Sequence, residues 1–493
     1  MQVLSPRPSH ARTRAHSLYD VTLDPEQREA ALRPAGGAML VLGEAGHGKT
    51  TVALHRLAHL YATSTGRFRA ACVVPSEGLA RLLQPIVVRL GADVTVSTYD
   101  RFARRQARRA FGDLPSREGR SASVAVTRMK RDPALRALLQ ELSLRPPGVI
   151  DDDDDAPPPT TSAQAHRGDL QHLFGDWLWM ERLIRASKQG ISANAIEQML
   201  EHTKVQFSAR SEDAHAHVDR ARRVTVDARA IDEGTPDEDA ESIDVEDYAV
   251  LFELDRLRAE RLGAPASRLR TYDCLVVYEA QEFAPLELML LGRSLARGGT
   301  LVVAGDADQQ LDPTCCFEGW EASMRAIAAG PYQTVTLRVG HRCPAEAMTL
   351  ARAVRDGARP SGTAPPVVQF DDEAALREWL AIELATLEEE DEAATKCVVV
   401  RTPHLARRIA RTLEGRVPRR LVLDGAFVRH RGVDVTTVEH VKGLEWDHVV
   451  IADATTEAYP DTAPSRRAMY VAITRARHQV AFAAAGSVSA LLG

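Results

Sequence analysis

Val41-Leu42-Gly43-Glu44-Ala45-Gly46-His47-Gly48-Lys49-Thr50-Thr51 is the stretch that decides the fold of this chain. Met39 to Leu42 read as a short apolar strand and Thr51 to Leu60 as a helix. The turn between them spells G-x-x-x-x-G-K-T from Gly43 to Thr50. Glycines at these positions let the backbone curl so that successive N–H groups converge on a phosphate, and the helix start adds partial positive charge. Lys49 then reaches the β- and γ-phosphates, and the Thr50 hydroxyl ligates Mg²⁺. Gly43, Glu44, Ala45, Gly46, His47, Gly48, Lys49, Thr50 and Thr51 are therefore the expected ATP-binding loop. A glycine-rich turn can also be purely structural, but this one has a strand before it and a helix after it.

Upstream, Leu23-Asp24-Pro25-Glu26-Gln27 predicts a helix start, with Asp24 as N-cap and Pro25 at the first helical position. The Gln27 amide offers a donor and an acceptor, the pair needed to read an adenine edge. Downstream, Ala70 to Val74 and Val94 to Val96 are further strands, separated by a helix from Glu77 to about Leu90. Strands alternating with helices predict an α/β fold with a parallel sheet covered on both faces and ligands at the strands' carboxyl ends. In the next helix Arg101, Arg104, Arg105, Arg108 and Arg109 fall on one face. Such a stripe suits either a polyanion or a solvated surface.

A chain of 493 residues is too long for one core. Its net charge of −6 excludes a global basic field, so nucleic-acid binding must rest on local patches. Six cysteines without a C-x-x-C pair argue against zinc and disulfides and for a reducing, cytoplasmic setting. No apolar run approaches a membrane span, so no membrane partner is expected. Residues 1–20 and the Asp151–Asp155 run with its prolines read as disordered. Within 111–245, Leu173, Trp177, Met180, Ile184 and Ile191 suggest helices. Trp177 and Trp179 suit base stacking or, more commonly, a core. This segment reads as an insertion into the first sheet domain, which spans 21–110 and 246–335.

That sheet resumes at Cys274 to Val277, ending in Tyr278-Glu279-Ala280-Gln281-Glu282, and at Leu301 to Ala304, ending in Gly305-Asp306-Ala307-Asp308-Gln309. Carboxylates delivered at strand ends beside a phosphate loop are where water activation and metal binding belong. Glu279 is the candidate for both, and Gln309 is the candidate sensor of the γ-phosphate. From 336 to 493 strands and helices alternate again, including Lys396 to Arg401, Val433 to Thr437 and Val449 to Ile451, without a second phosphate loop.

In this order, Leu23 to Gln27, Gly43 to Thr51, Ser97 to Tyr99, Tyr278 to Glu282, Gly305 to Gln309, Arg342, Lys442-Gly443-Leu444-Glu445 and Tyr470-Val471-Ala472-Ile473-Thr474-Arg475-Ala476-Arg477 resemble superfamily 1 helicases of the UvrD/Rep type. The resemblance covers both ends of the chain and leaves the middle largely unmatched. It implies two RecA-like domains closing on ATP and Mg²⁺. Gln27 and His341 would face adenine, Glu445 would join the nucleotide set, and Arg342 and Arg475 would reach the γ-phosphate from the second domain. Thr98, Tyr99, Arg101 and Arg105 would contact nucleic acid. The implied activity is ATP-dependent 3′–5′ translocation on single-stranded DNA or a tailed duplex; the unmatched 111–245 insertion leaves room for a protein partner.

Four departures qualify this. The family's D-E-x-Q-D reads Tyr278-Glu279-Ala280-Gln281-Glu282, so the Mg²⁺-anchoring Asp is a neutral tyrosine and slowed hydrolysis is expected. The family's T-x-H appears as Thr437-Val438-Glu439, and its stacking tyrosine is His341. Only about 100 residues separate Arg342 from Lys442, so no large inserted fourth domain is expected. Val73 to Phe102 and Asp247 to Glu282 also resemble the HelD branch that acts on RNA polymerase. That branch carries a long helical arm before its first domain, whereas about twenty residues precede Leu23. The alternative is an ATP-gated clamp on nucleic acid or protein, of the HelD or phage-defence kind, with little unwinding.

Overall fold

The computed structural model describes residues 22–112, 114–115, 117–119, 122–149, 161–210, 217, 236–340, 343–358, 366–427 and 431–493. The expected disorder at 1–20 and at Asp151–Asp155, and the candidates His341 and Arg342, lie outside those residues.

The first lobe is built on β1 (Gly37–Leu42), β2 (Ala70–Val74) and β3 (Thr95–Thr98), with helices α1 (Pro25–Leu32), α2 (Lys49–Thr63), α3 (Glu77–Arg89) and α4 (Tyr99–Ala110). A two-residue strand β4 (Arg117–Glu118) pairs with β5 (Ser242–Ile243), drawing together the two ends of the segment between them. The lobe is completed by β6 (Tyr272–Tyr278), β7 (Leu295–Gly305) and β8 (Tyr332–Thr336). All pairings in this six-stranded sheet are parallel, in the order β3-β2-β6-β7-β1-β8. Side chains alternate between its faces. Ala71 and Val73 enter one core with α4 and the Val245–Leu262 helix, while Cys72 and Val74 enter the other with α2 and α3. Burial on both faces is why β2 reads as a continuous apolar run, with no polar alternation.

The second lobe contains β9 (Val367–Phe370), β10 (Lys396–Val400), β11 (Arg419–Val422), β12 (Val433–Thr437), β13 (Trp446–Ile451) and β14 (Ala476–Ala485). Their order is β11-β12-β10-β13-β14-β9, again wholly parallel. Helices Ala345–Asp356 and Ala463–Ile473 cover one face, and Glu373–Glu390 and Pro403–Thr412 the other. The fold is α/β with two parallel sheets, consistent with two RecA-like domains.

Between β4 and β5 the described elements are mainly helices, among them Val124–Arg131, Leu135–Leu142, Ser162–Gly175, Trp177–Ala186 and Asn194–Gln206. Their base is held by a buried ion network in which Lys130 Nζ lies 2.7 Å from both Asp244 and Asp247. Trp179 is core, whereas Trp177 is 46% exposed. No described helix is long and apolar enough to cross a membrane.

Candidate nucleotide site between the lobes

The loop after β1 has the conformation its glycines permit. Gly46 and Gly48 adopt φ of 81° and 87°, in the left-handed region. Gly48 is the N-cap of α2 and supplies no side-chain cap, so the first-turn amides of that helix meet no capping side chain. A Cβ on Gly48 would lie 2.3 Å from the Gln27 amide nitrogen. Gln27 is itself buried: its Nε2 donates to His47 O at 3.3 Å, and its Oε1 accepts from Asp24 N at 3.3 Å. Both ends of the amide expected to read adenine thus brace α1 and the loop. His47 Nδ1 donates to Leu337 O at 2.8 Å, tying the loop to the chain beyond β8.

Lys49 is 5% exposed. Its Nζ donates to Gly43 O at 2.6 Å and Glu44 O at 3.0 Å, and it stands 3.5 Å from Asp306 Oδ2. The same Asp306 oxygen accepts from Gln309 Nε2 at 2.7 Å. Gln309 Oε1 in turn accepts from Arg475 Nη2 at 2.9 Å. Arg475 is 1% exposed and also donates to Val471 O (3.0 Å), Leu444 O (3.4 Å) and Thr474 Oγ1 (3.0 Å). A continuous polar path therefore runs from the phosphate-loop lysine in one lobe to the buried arginine of the other. A guanidinium taken out of water is costly unless its N–H groups are bonded. Four acceptors around Arg475 meet that demand and fix its direction.

At the end of β6 the backbone turns sharply. Glu279 has φ 55° and ψ 49°, a left-handed conformation that costs a non-glycine residue about 1–2 kcal/mol. Its carboxylate is buried and accepts from Gln281 Nε2 at 2.6 Å, and Gln281 Oε1 accepts from Asp306 N at 3.2 Å. The two strand ends are thereby locked together. Tyr278 is 4% exposed, and its hydroxyl shares a 2.5 Å hydrogen bond with Thr50 Oγ1. The hydroxyl expected to ligate Mg²⁺ is thus paired with a phenol rather than a carboxylate. Among the described residues, the cluster with metal-ligand spacing is elsewhere, at Glu282, Asp312 and Cys315. There Arg131 already neutralises Asp312 at 2.9 Å.

The second lobe closes directly on the loop. Ala45 N donates to the Tyr470 hydroxyl at 3.3 Å, and the Ala45 methyl belongs to the second lobe's apolar core. Burial and the nearby Asp306 charge push the Tyr470 phenol well above its ordinary value, so it stays neutral. Lys442 Nζ pairs with Glu282 Oε2 across the cleft at 2.8 Å. The lobes approach tightly at Gly443, at φ 69°, and at Gly78, since a Cβ would sit 2.4 Å from Leu79 Cδ2 at the first and 2.4 Å from Gly425 O at the second. Glu44 is clasped by Arg352 and Arg355. Burial raises the Glu44 carboxyl, but the hydrogen bonds and charges of both arginines outweigh it and hold the group below the carboxylate range. Glu445 lies 3.8 Å from Arg477. A cavity of about 420 Å³ opens beside the loop, lined by Gly43, Glu44, His47, Asp306, Trp320 and Leu337 among others.

The nucleic-acid candidates divide. Arg101 and Arg105 are exposed on α4, with Arg101 3.2 Å from Glu77 and Arg105 donating to Ser97 Oγ at 2.8 Å. Thr98 is buried as the N-cap of α4, and Tyr99 is buried against Phe283. Neither presents its side chain to solvent. Tyr470, Asp306, Arg352 and Arg355 were not singled out as individual site residues from the sequence. An acid at position 44 of a phosphate loop was a usable signal, because it demands a cation nearby.

The family described as an AAA domain matches residues 27–313, more than half of the chain, and the UvrD-like helicase C-terminal domain matches residues 432–483. The chain belongs to the UvrD-like helicases. Among solved structures, the C-terminal domain of a possible DNA helicase from Lactobacillus plantarum WCFS1 is 23% identical, covering 31% of this chain and 93% of that one, with a TM-score of 0.27. No curated protein matches. Membership of the UvrD-like helicases implies nucleotide use, and the two matched segments carry the loop in the first lobe and Arg475 in the second.

Proposed function

We propose that this protein is an ATP-driven 3′–5′ translocase on single-stranded DNA, acting in the cytoplasm, with hydrolysis slowed by Tyr278. The observation that carries the reading is the path Lys49–Asp306–Gln309–Arg475, which joins the two lobes through one polar chain. The donor set fits a triphosphate: left-handed glycines, an uncapped helix start and a lysine resting on the loop's own carbonyls. Lys49 exchanges those carbonyls for phosphate oxygens. Thr50 and Glu279 would hold Mg²⁺, which when bound offsets phosphate charge. Glu279 takes the proton of the attacking water, Gln309 orients that water, and Arg475 neutralises charge developing on the transferred phosphoryl group. Arg342, which lies outside the described residues, is assigned the same role by the resemblance alone.

Lys49 and Ala45 are 5% and 4% exposed in the closed form, so the lobes must part to admit and release nucleotide. That opening and closing is the stroke. The exposed arginines of α4 supply sequence-independent phosphate contacts, whose affinity falls with salt.

A second reading, the ATP-gated clamp, is favoured by the Thr50–Tyr278 hydrogen bond, which pairs the metal-ligating hydroxyl with a phenol in place of a carboxylate. Steady-state ATP hydrolysis with and without single-stranded DNA, together with strand displacement on 3′- and 5′-tailed duplexes, separates the two. The translocase reading predicts DNA-stimulated turnover and displacement from the 3′ tail only. Nucleotide-tightened DNA binding without displacement selects the clamp.

A further inference from the structure

Glu44 is out of place electrostatically. It puts a carboxylate into a loop shaped for a polyanion, where like charges repel. Its hydrogen-bonded cations come from the other lobe. Arg352 donates to Oε2 from Nε at 2.9 Å and from Nη2 at 2.6 Å, and Arg355 Nη1 donates to Oε1 at 2.7 Å. His47 Nε2 lies 3.7 Å from Oε2. Arg355 is also held from behind, by Asp356 at 2.7 Å and Asp308 at 3.4 Å, with its guanidinium 5.9 Å from the Tyr470 ring centre. Tyr470 is the residue that accepts the Ala45 amide proton of the same loop. Planar guanidinium forks bind carboxylate and phosphate with the same geometry. A carboxylate that gathers two of them at a phosphate loop offers them the partner chemistry that a phosphate group would.

We propose that Arg352 and Arg355 are the second lobe's nucleotide-discriminating cations, which Glu44 holds until a nucleoside triphosphate draws them onto its terminal phosphate. A diphosphate, lacking that group, leaves them on Glu44. The inference rests on the reading of Gly43–Thr51 as a triphosphate loop and adds what distinguishes substrate from product. It makes Glu44 a competitor of the nucleotide, so removing its charge strengthens triphosphate binding, whereas removing the arginines weakens it. A contact that merely glued the lobes together would respond in one direction to the loss of either partner.

The test is titration of the full chain with fluorescent, non-hydrolysable ATP and fluorescent ADP. Three proteins are compared: wild type, Glu44→Gln, and the pair Arg352→Gln with Arg355→Gln. All three positions are partly exposed, with side chains 25%, 47% and 22% accessible, so the variants should fold; thermal unfolding checks this. Glu44→Gln should tighten the ATP analogue about fivefold and change ADP by less than about twofold, while the arginine pair should weaken the ATP analogue about tenfold or more with ADP little changed. Shifts of the same sign in both variants, or equal shifts for the two nucleotides, would overturn the inference and leave the phosphate-loop reading standing. Wild type that binds neither nucleotide would overturn both.

Discussion

The two lobes share one frame and bring opposite chemistry to it. Each is a six-stranded, wholly parallel sheet covered by helices on both faces, and each turns toward the same cleft. The first offers backbone amides, one lysine and the carboxylates of Glu279 and Asp306. The second offers Arg475, Arg352, Arg355 and the neutral phenol of Tyr470, and has no phosphate loop. Neither set is a complete site for phosphoryl transfer. A common fold therefore does not confer a common role; the loops at the strand ends do. Because Arg475 reaches Gln309 across the cleft, the proposed chemistry would be tied to the closure of the lobes.

The comparison extends to what stabilises each lobe. In the first, Lys130 is fully buried between Asp244 and Asp247, whose charges outweigh burial and hold the ammonium well above its ordinary range. Replacing Lys130 with Met strands two buried carboxylates and should cost about 3–5 kcal/mol of first-lobe stability. Chemical unfolding followed by the fluorescence of Trp179, which lies in the same core cluster as Phe174 beside Lys130, measures this. A loss below about 1 kcal/mol would show that the network is not what holds the base of the helical segment.

The second lobe is sensitive to acid at a particular residue. His448 is 2% exposed on β13, and neither ring nitrogen has a partner among the described residues. Burial pushes its pKa down to about 4, against the opposing pull of Asp447, with His478, Lys396 and Asp391 also nearby. The unfolded chain takes up a proton below about pH 6.5, whereas the folded chain does so only near pH 4. Stability from this group is thus complete above pH 6.5 and falls by about 3 kcal/mol as pH drops to 4. Asp453, pushed up to about 7 by burial, has the opposite slope in the same lobe. The difference between wild type and His448→Leu isolates the histidine: the variant should gain relative stability as pH falls from 6.5 to 4. A pH-independent difference would mean that the imidazole is solvated.

The smallest expected effect concerns Tyr278. Tyr278→Asp places a carboxylate beside Thr50 and should raise ATP turnover about 10- to 100-fold, the scale of changes around a metal's ligands. Equal turnover would show that Tyr278 does not slow hydrolysis and would weaken the clamp reading with it.

Much of this was legible in the residues. The phosphate loop declared itself because spacing, strand and helix agreed locally, and the capping box of Asp24 and Gln27 is likewise local. The parallel strands showed as β-branched runs because both faces of each sheet are buried. What the sequence could not reveal was pairing across the cleft. Glu44 and Arg352 are 308 residues apart, so only the folded chain shows that they meet. Gln27 and Tyr99 mark the same limit from the other side: their types suited adenine and bases, but tertiary packing turned both inward. The arginine stripe on α4 kept its exposed face because Phe102, Ala103, Gln106 and Ala107 supply the buried one.

The central claim, that one triphosphate is shared by a lysine of the first lobe and an arginine of the second, is tested most directly by single-turnover hydrolysis in wild type and Arg475→Lys, with ATP binding measured alongside. The account predicts ATP affinity within about threefold of wild type and a hydrolytic step slower by about a thousandfold, the scale of an arginine supplied to a phosphoryl transition state. Equal hydrolysis rates in the two proteins would contradict it.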